Sequence, residues 1–263
     1  MYAENFTFNG RKLTDFGFRI CSFDGSEPTF TPSAVTFITS ELPANSRKHF
    51  VASKREEPIS MGFSIIHYEC PDGVKPVDLK TDIKLHKWLE REDGFHEFAF
   101  LESDYEDIYF NAQINLTPHT LNGIIYGYDV TVATDNAYAY GNEVKCEFDT
   151  QADTPYQIAA VSDRMGYICP YIEITPKTDG NLAFNITEDI NQPHTVFSNA
   201  KVNQTIKINS ELYIIENYDT VNDRFNWKFP RLLQGEEETV NTITTTLDCH
   251  VVIKYIPLKA VNL

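Results

Sequence analysis

From Gly166 onward the sequence is a succession of short segments that alternate apolar and polar residues: YIEITP, NLAFNIT, TIKIN, ELYIIEN, RFNWKF, TITTTL and CHVVIKYIP. A period of two puts every second side chain on one face, so each segment reads as a strand with one side on a core. Their regular spacing, with no apolar pattern of helical period, restricts this half of the chain to a β-sandwich. Leu182, Phe184 and Ile186 supply the clearest inward face, and Asp179-Gly180 predicts a hairpin turn between the first two strands.

The first half adds one helix to a similar set of strands. In FTFNGRKLTDFGF (Phe6 to Phe18), Phe6 and Phe8 alternate with Thr7 and Asn9, and Asn9-Gly10 is the dipeptide best suited to a tight hairpin turn. A second strand follows, with Phe16, Phe18 and Ile20 on one face. Its DFG tripeptide is no kinase signature, because no Gly-rich loop, strand Lys or HRD loop precedes it. Residues 40–58, SELPANSRKHFVASKREEP, carry Arg47, Lys48, Lys54 and Arg55 with little apolar periodicity and read as an extended loop. ISMGFSIIHYEC is a strand by its Met61, Phe63, Ile65 alternation. In KPVDLKTDIKLHKWLEREDGF, Leu85, Trp88 and Leu89 fall at helical spacing, with Asp78, Thr81 or Asp82 as cap and Asp93-Gly94 as stop. HEFAFLES, DIYFNAQINL and GIIYGYDVTVATD complete the strands. The reading is a mainly β chain: an α+β domain over 1–141, a linker over 142–165 where periodicity fades, and a sandwich over 166–263.

Composition narrows the function. Phe (18) and Tyr (14) are abundant while Met (3) is scarce, which favours sheets. Acidic residues outnumber basic ones 38 to 22, and a formal charge of -16 repels phosphate backbones. The five cysteines (Cys21, Cys70, Cys146, Cys169, Cys249) are dispersed without a CxxC pair, against a disulfide framework or zinc site and in keeping with a reducing cytoplasm. Neither a signal peptide nor an apolar run of membrane-spanning length is present.

No constellation carries chemistry. The turn ESDYED holds Glu102, Asp104, Glu106 and Asp107 but lacks calcium-loop spacing, and it reads as a solvated turn rather than a hydrolase or metal site. The histidines never form HxxxH or HxH, and GxSxG, GxxxxGK[ST] and GxGxxG are all missing. The expectation is a protein without catalytic residues, cofactor or metal. One binding alternative from a different class stands beside it. Tyr213, Tyr218 and Trp227 offer rings for stacking on a cell-surface glycan, although Phe225, Trp227 and Phe229, read as one strand face, are more simply core.

The ordered features resemble the distal tail protein (Dit) family of long-tailed phages and prophages of Gram-positive bacteria. FTFNGRKLTDFGFRI resembles that family's opening strand-turn-strand, and DIKLHKWLERED followed by FAFLES and DIYFNAQINL its helix and sheet. TVATDNAYAYG (Thr131 to Gly141) resembles the close of its first domain. CPYIEITP, ELYIIEN and FPRLLQG before a Thr-rich strand resemble its galectin-like sandwich. One departure is plain: the Asn expected soon after FPRLLQG is delayed by Glu236, Glu237 and Glu238 to Asn241. The resemblance implies a structural protein made in the host cytoplasm and carried in the virion at the distal tail tip. It implies a homohexameric ring of N-terminal domains joining the tail tube to baseplate or tail-associated proteins, in contact with major tail and tape-measure proteins. DNA would pass through that ring without specific binding, and no membrane is involved. With no large module inserted between the domains, host adhesion by this chain itself is not expected. Arg47, Lys48, Lys54 and Arg55 are the candidate contacts to a neighbouring copy.

Overall fold

In the computed structural model, Asn9 and Gly10 both sit at positive φ, 48° and 71°. That is the geometry of a tight hairpin turn whose twist matches its strands. It joins β1 (Phe6–Phe8) to β2 (Arg11–Lys12). The structure describes residues 4–23, 28–42, 45–54, 57–69, 73–101, 107–191, 194–217, 224–235 and 238–261, and for 41, 42, 45–49 and 54 the backbone alone. The second strand differs from expectation. It stops after two residues, and Leu13–Phe16 wind into a 3-10 turn that Asp15 caps by accepting the Lys12 N–H at 3.1 Å. Gly17 ends that turn in the left-handed region, φ 76°, where a side chain would also crowd the His67 ring.

The chain then runs through β3 (Phe18–Cys21), β4 (Thr29–Thr31), β5 (Thr36–Leu42), β6 (Asn45–Lys54), β7 (Ser60–Glu69) and β8 (Gly73–Val74). Helix α1 (Leu79–Leu89), β9 (His96–Phe100), β10 (Ile108–Leu121), β11 (Ile124–Thr134) and β12 (Ala139–Gly141) follow. The main sheet orders its strands β2-β1-β9-β10-β11-β7-β3, with β4 and β8 also on β7 and β12 on β10. Alternation decides its buried face: Phe6, Phe8, Met61, Phe63, Ile65, Phe98, Phe110, Ile114, Val130 and Val132 enter one core. Helix α1 closes that core with Leu85, Trp88 and Leu89.

The helix begins where Asp78 accepts the N–H groups of Lys80 (2.8 Å) and Thr81 (3.0 Å), satisfying donors that the first turn otherwise leaves open. It ends at Glu90, before the expected Asp93-Gly94, where the backbone leaves the helical region (φ -89°, ψ 78°), and the Glu90 carboxylate accepts the Leu116 N–H of the sheet at 2.8 Å. Trp88, 3% exposed, donates its indole N–H to the Phe8 carbonyl at 2.8 Å and stacks on Phe16 at 4.2 Å. The opening hairpin and the helix are thus one packed assembly.

Two compact units divide the chain: Met1–Tyr140 with Ala260–Leu263, and Gly141–Lys259. The second is a sandwich. Its strands are β13 (Val144–Thr150), β14 (Tyr156–Ala160), β15 (Gly166–Ile168), β16 (Tyr171–Pro176), β17 (Gly180–Ile186), β18 (His194–Ala200), β19 (Ile206–Asn209) and β20 (Ile214–Glu216). The remainder are β21 (Leu232–Gln234), β22 (Thr239–Thr245), β23 (Cys249–Tyr255) and β24 (Leu258–Lys259). A five-stranded sheet, β13-β23-β16-β19-β20, contributes Ile172, Ile174, Ile206, Ile208, Val251 and Ile253 to the core. A four-stranded sheet, β14-β22-β17-β18, contributes Leu182, Phe184, Ile186, Phe197 and Ile243.

Three expectations are corrected here. Residues 142–165 are not a linker: β13 pairs with β23 over its whole length and β14 with β22, both inside the second unit. The alternation is present in VKCEFDT, with Lys145, Glu147 and Asp149 outward and Phe148 and Thr150 buried. Asp179-Gly180 makes no hairpin, since β16 and β17 belong to different sheets and the turn carries the chain from one to the other. Asp179 instead accepts the Val202 N–H at 2.7 Å, which ties the crossover to a neighbouring turn. RFNWKF is not a strand either. Phe225 makes a single bridge to Phe197, and the Asn226 side chain does the pairing: its Oδ1 accepts the Val196 N–H (3.1 Å) and its Nδ2 donates to the His194 carbonyl (2.8 Å).

Candidate functional site

Residues 40–58, expected as a loop, are largely a β-ribbon. β5 and β6 pair antiparallel from Thr36↔Lys54 to Leu42↔Asn45 and join no other strand among the described residues. Period-two burial is the signal of a strand on a core, and the described side chains of this ribbon show no such alternation. Phe37 and Phe50 are 67% and 65% exposed, Ile38 and Val51 are exposed too, and the two Phe rings meet edge to face at 6.3 Å. Exposed apolar side chains gathered on an unpaired ribbon form a surface that water disfavours and a partner covers. Of the candidate contacts, Arg47 and Lys48 lie on β6 with Lys48 opposite Glu41, and Lys54 closes the strand opposite Thr36. Their side chains, and all of Arg55, lie outside the described residues.

The candidate stacking rings rest on a buried aromatic pair, Phe225 and Phe229, whose rings meet edge to face at 5.2 Å. Tyr213 and Trp227 are exposed, each at positive φ (56° and 57°), while Phe225 and Phe229 are buried. Tyr213 packs edge-on against Phe229 at 5.2 Å, and Trp227 tilts against Phe225 at 5.6 Å. Tyr218 lies outside the described residues. So do Glu102, Asp104 and Glu106 of the acidic turn, and Cys70.

Among the described residues no group of three or more His, Cys, Asp or Glu is placed to hold a metal ion. Burial pushes the Cys21 and Cys249 thiols up to about 11 and raises those of Cys146 and Cys169. That is the reverse of what activates a thiolate nucleophile. His250 sits between Asp149 (2.9 Å) and Glu147 (3.4 Å) on an exposed sheet face, and His119 stacks on Phe23 at 3.9 Å.

The motif FPRLLQG proves to be a structural clamp. Arg231 donates from Nε and Nη2 to both oxygens of Asp189, at 2.9 and 2.7 Å, and its guanidinium lies 4.1 Å from the Tyr167 ring centroid. The delayed Asn241 does the work of a strand edge: its Oδ1 accepts the Leu233 N–H (2.7 Å) and its Nδ2 donates to the Leu233 carbonyl (3.0 Å). The insertion of Glu236 to Glu238 therefore leaves the brace in place. Sequence reasoning missed both Asp189 and Asn226, because each acts through contacts distant in the chain.

An aromatic-cored sheet closed by helix α1, a β-sandwich and an exposed apolar ribbon make this a mainly β protein of two units. The chain belongs to the phage tail family whose N-terminal domain model matches residues 1–136 and whose C-terminal domain model matches residues 138–255. Its fold is similar to that of the Dit protein (gp 19.1) of phage SPP1, described as a paradigm of the hub adsorption apparatus in phages that infect Gram-positive hosts. That likeness has a TM-score of 0.68 at 13% identity, covering 97% of this chain and 99% of that one. A chain of the phage p2 baseplate in its activated conformation with Sr is also similar, with a TM-score of 0.51 at 11% identity over 96% of this chain and 98% of that one. No curated protein matches the chain in sequence. The resemblance to the distal tail family and the expected fold class are borne out. No helix among the described residues is long and apolar enough to cross a membrane.

Proposed function

We propose that the chain is a hub of the distal tail tip: six copies close into a ring through their first units and join the tail tube to the baseplate. DNA passes through the ring, and the acidic balance of -16 keeps the phosphate backbone from adhering to it. The observation that carries the reading is the β5–β6 ribbon. A ring needs heterologous contacts, one face of each copy meeting a different face of the next, and the ribbon supplies an arm whose Phe37, Ile38, Phe50 and Val51 gain by being covered. Membership of a phage tail family and fold likeness to a hub and a baseplate chain support the same reading. The basic residues Arg47, Lys48, Lys54 and Arg55 lie on or beside this arm and add attraction to an acidic neighbour.

Phe37→Ser with Phe50→Ser tests it. Both side chains are exposed, so stability changes by no more than ~0.5 kcal/mol each. The solution mass by multi-angle light scattering is expected to be six chains for the wild type and fewer for the variant. Replacing the four basic residues by Ser weakens the same assembly. An oligomer that survives both sets of changes, or a wild type that stays a single chain, refutes the arm as the contact.

A further inference from the structure

Helix α1 presents three stripes. Leu85, Trp88 and Leu89 face the core. Asp82 and Glu90 are tied to the sheet, accepting from the Tyr128 hydroxyl (2.6 Å) and the Leu116 N–H, and His86 lies between them. Lys80, Lys84, Lys87 and then Arg91 recur at helical spacing on the remaining side. That side borders a groove of about 670 Å³ between α1, the 3-10 turn and the end of β7.

The charges in this groove are unequal. Lys84, Lys87, Arg11 and Arg91 line it against Asp15 and Glu69. The carboxylates are engaged, Asp15 by the Lys12 N–H and Glu69 by Lys75, and Arg91 is held by Asp93. Arg11 lies over the Phe16 ring at 5.2 Å. Lys84 and Lys87 have no ion-pair partner among the described residues. On a chain of charge -16, an uncompensated cationic groove is a local reversal of field.

A buried polar group adds an acceptor to this groove, suited to a peptide N–H rather than to a carboxylate. His67, 7% exposed, lines the groove with its Nδ1 at 3.2 Å from the Pro76 carbonyl. A carbonyl only accepts, so Nδ1 carries the proton and Nε2, beside Gly17, is left without a hydrogen-bond partner among the described residues. The Phe16–Trp88 stack supplies an apolar wall.

We propose that this groove docks an extended, carboxylate-rich segment of another protein. Lys84, Lys87 and Arg11 meet its carboxylates, and its main chain passes along the edge of the Phe16–Trp88 stack. A nucleic acid is the competing occupant, and the acidic surface beyond the groove, on a chain of charge -16, disfavours a continuous phosphate backbone more than a short peptide segment.

The test is fluorescence anisotropy of a labelled oligoglutamate peptide with the full chain, using Lys84→Glu with Lys87→Glu and, as a control on the second unit, Lys254→Glu. Saturable binding by the wild type that weakens with salt and falls at least about tenfold in the double variant, but not in the control, is the expected result. Lys84→Gln with Lys87→Gln keeps the comparison decisive if charge reversal disturbs the fold, as read by circular dichroism. No binding by the wild type, equal binding by the variants, or oligothymidylate bound as tightly as the peptide overturns the proposal. So does a fall in solution mass in the variants with peptide binding intact, which would assign the groove to contacts between copies.

Discussion

Replacing Arg231 by Met removes both hydrogen bonds that the guanidinium gives to Asp189, whose side chain is fully buried (0% exposed). Breaking a buried pair by removing one partner costs ~3–5 kcal/mol, because the remaining group loses its opposite charge in a site away from water. Loss of the guanidinium over the Tyr167 ring adds ~0.5–1 kcal/mol. The Asn191 N–H, 3.2 Å from Asp189 Oδ1, still donates and holds the total toward the lower end. A loss of ~3 kcal/mol at a urea slope of ~1–3 kcal/mol per M moves the midpoint of the second unit down by roughly 1–3 M. Urea titration of the full chain, read by hydrogen exchange of peptides from β17 and β22, measures it. Peptides from β10 and β11 in the other unit serve as the internal reference. Arg231→Met with Asp189→Leu removes both charges and is expected to recover most of the loss. A single variant that loses less than ~1 kcal/mol, or a double variant no better than the single, refutes the reasoning.

Two further outcomes follow from local geometry. Gly10→Val puts a β-branched residue at φ 71° and is expected to cost ~1–2 kcal/mol through backbone strain alone, since the space around Gly10 is open; unchanged thermal stability would contradict the turn. Burial holds the Cys21 and Cys249 thiols at about 11, above the ~8.5 of an unfolded thiol. Because the folded state keeps the proton, the contribution of these groups to stability is full below the unfolded value and declines as pH rises from there toward 11. Maleimide labelling at pH near neutrality should accordingly be slow at both cysteines in the native chain and fast in urea, and equal rates would count against their burial.

The legible parts of this protein are those where neighbours in sequence meet the same environment. Leu85, Trp88 and Leu89 announce a helix because their spacing puts them on one face, and Asp78 announces its start because a short carboxylate satisfies open N–H groups. Leu182, Phe184 and Ile186 do the same for a strand. The β5–β6 ribbon is not legible in the same way, because its described side chains are nearly all exposed and no alternation of burial marks them as strand. Of the candidate assembly site, the sequence showed the charge of residues 47–55 but not the strand pairing that gathers Phe37 and Phe50.

Local chemistry determined the positive-φ turn at Asn9-Gly10, the cap of α1, the inward faces of the strands and the charge of -16. These depend on a few bonds and on the period of the chain, which any stretch carries within itself. The tertiary structure alone decided that Asp179-Gly180 crosses between sheets, that 142–165 contributes two strands to the second unit, and that Asn226 and Asn241 substitute for backbone pairing. It also decided that Arg231 finds Asp189, forty-two residues away, and that the exposed Lys84 and Lys87 of α1 border a groove. Such outcomes turn on which distant groups share a buried volume, where an unmatched polar atom costs more than any local preference returns.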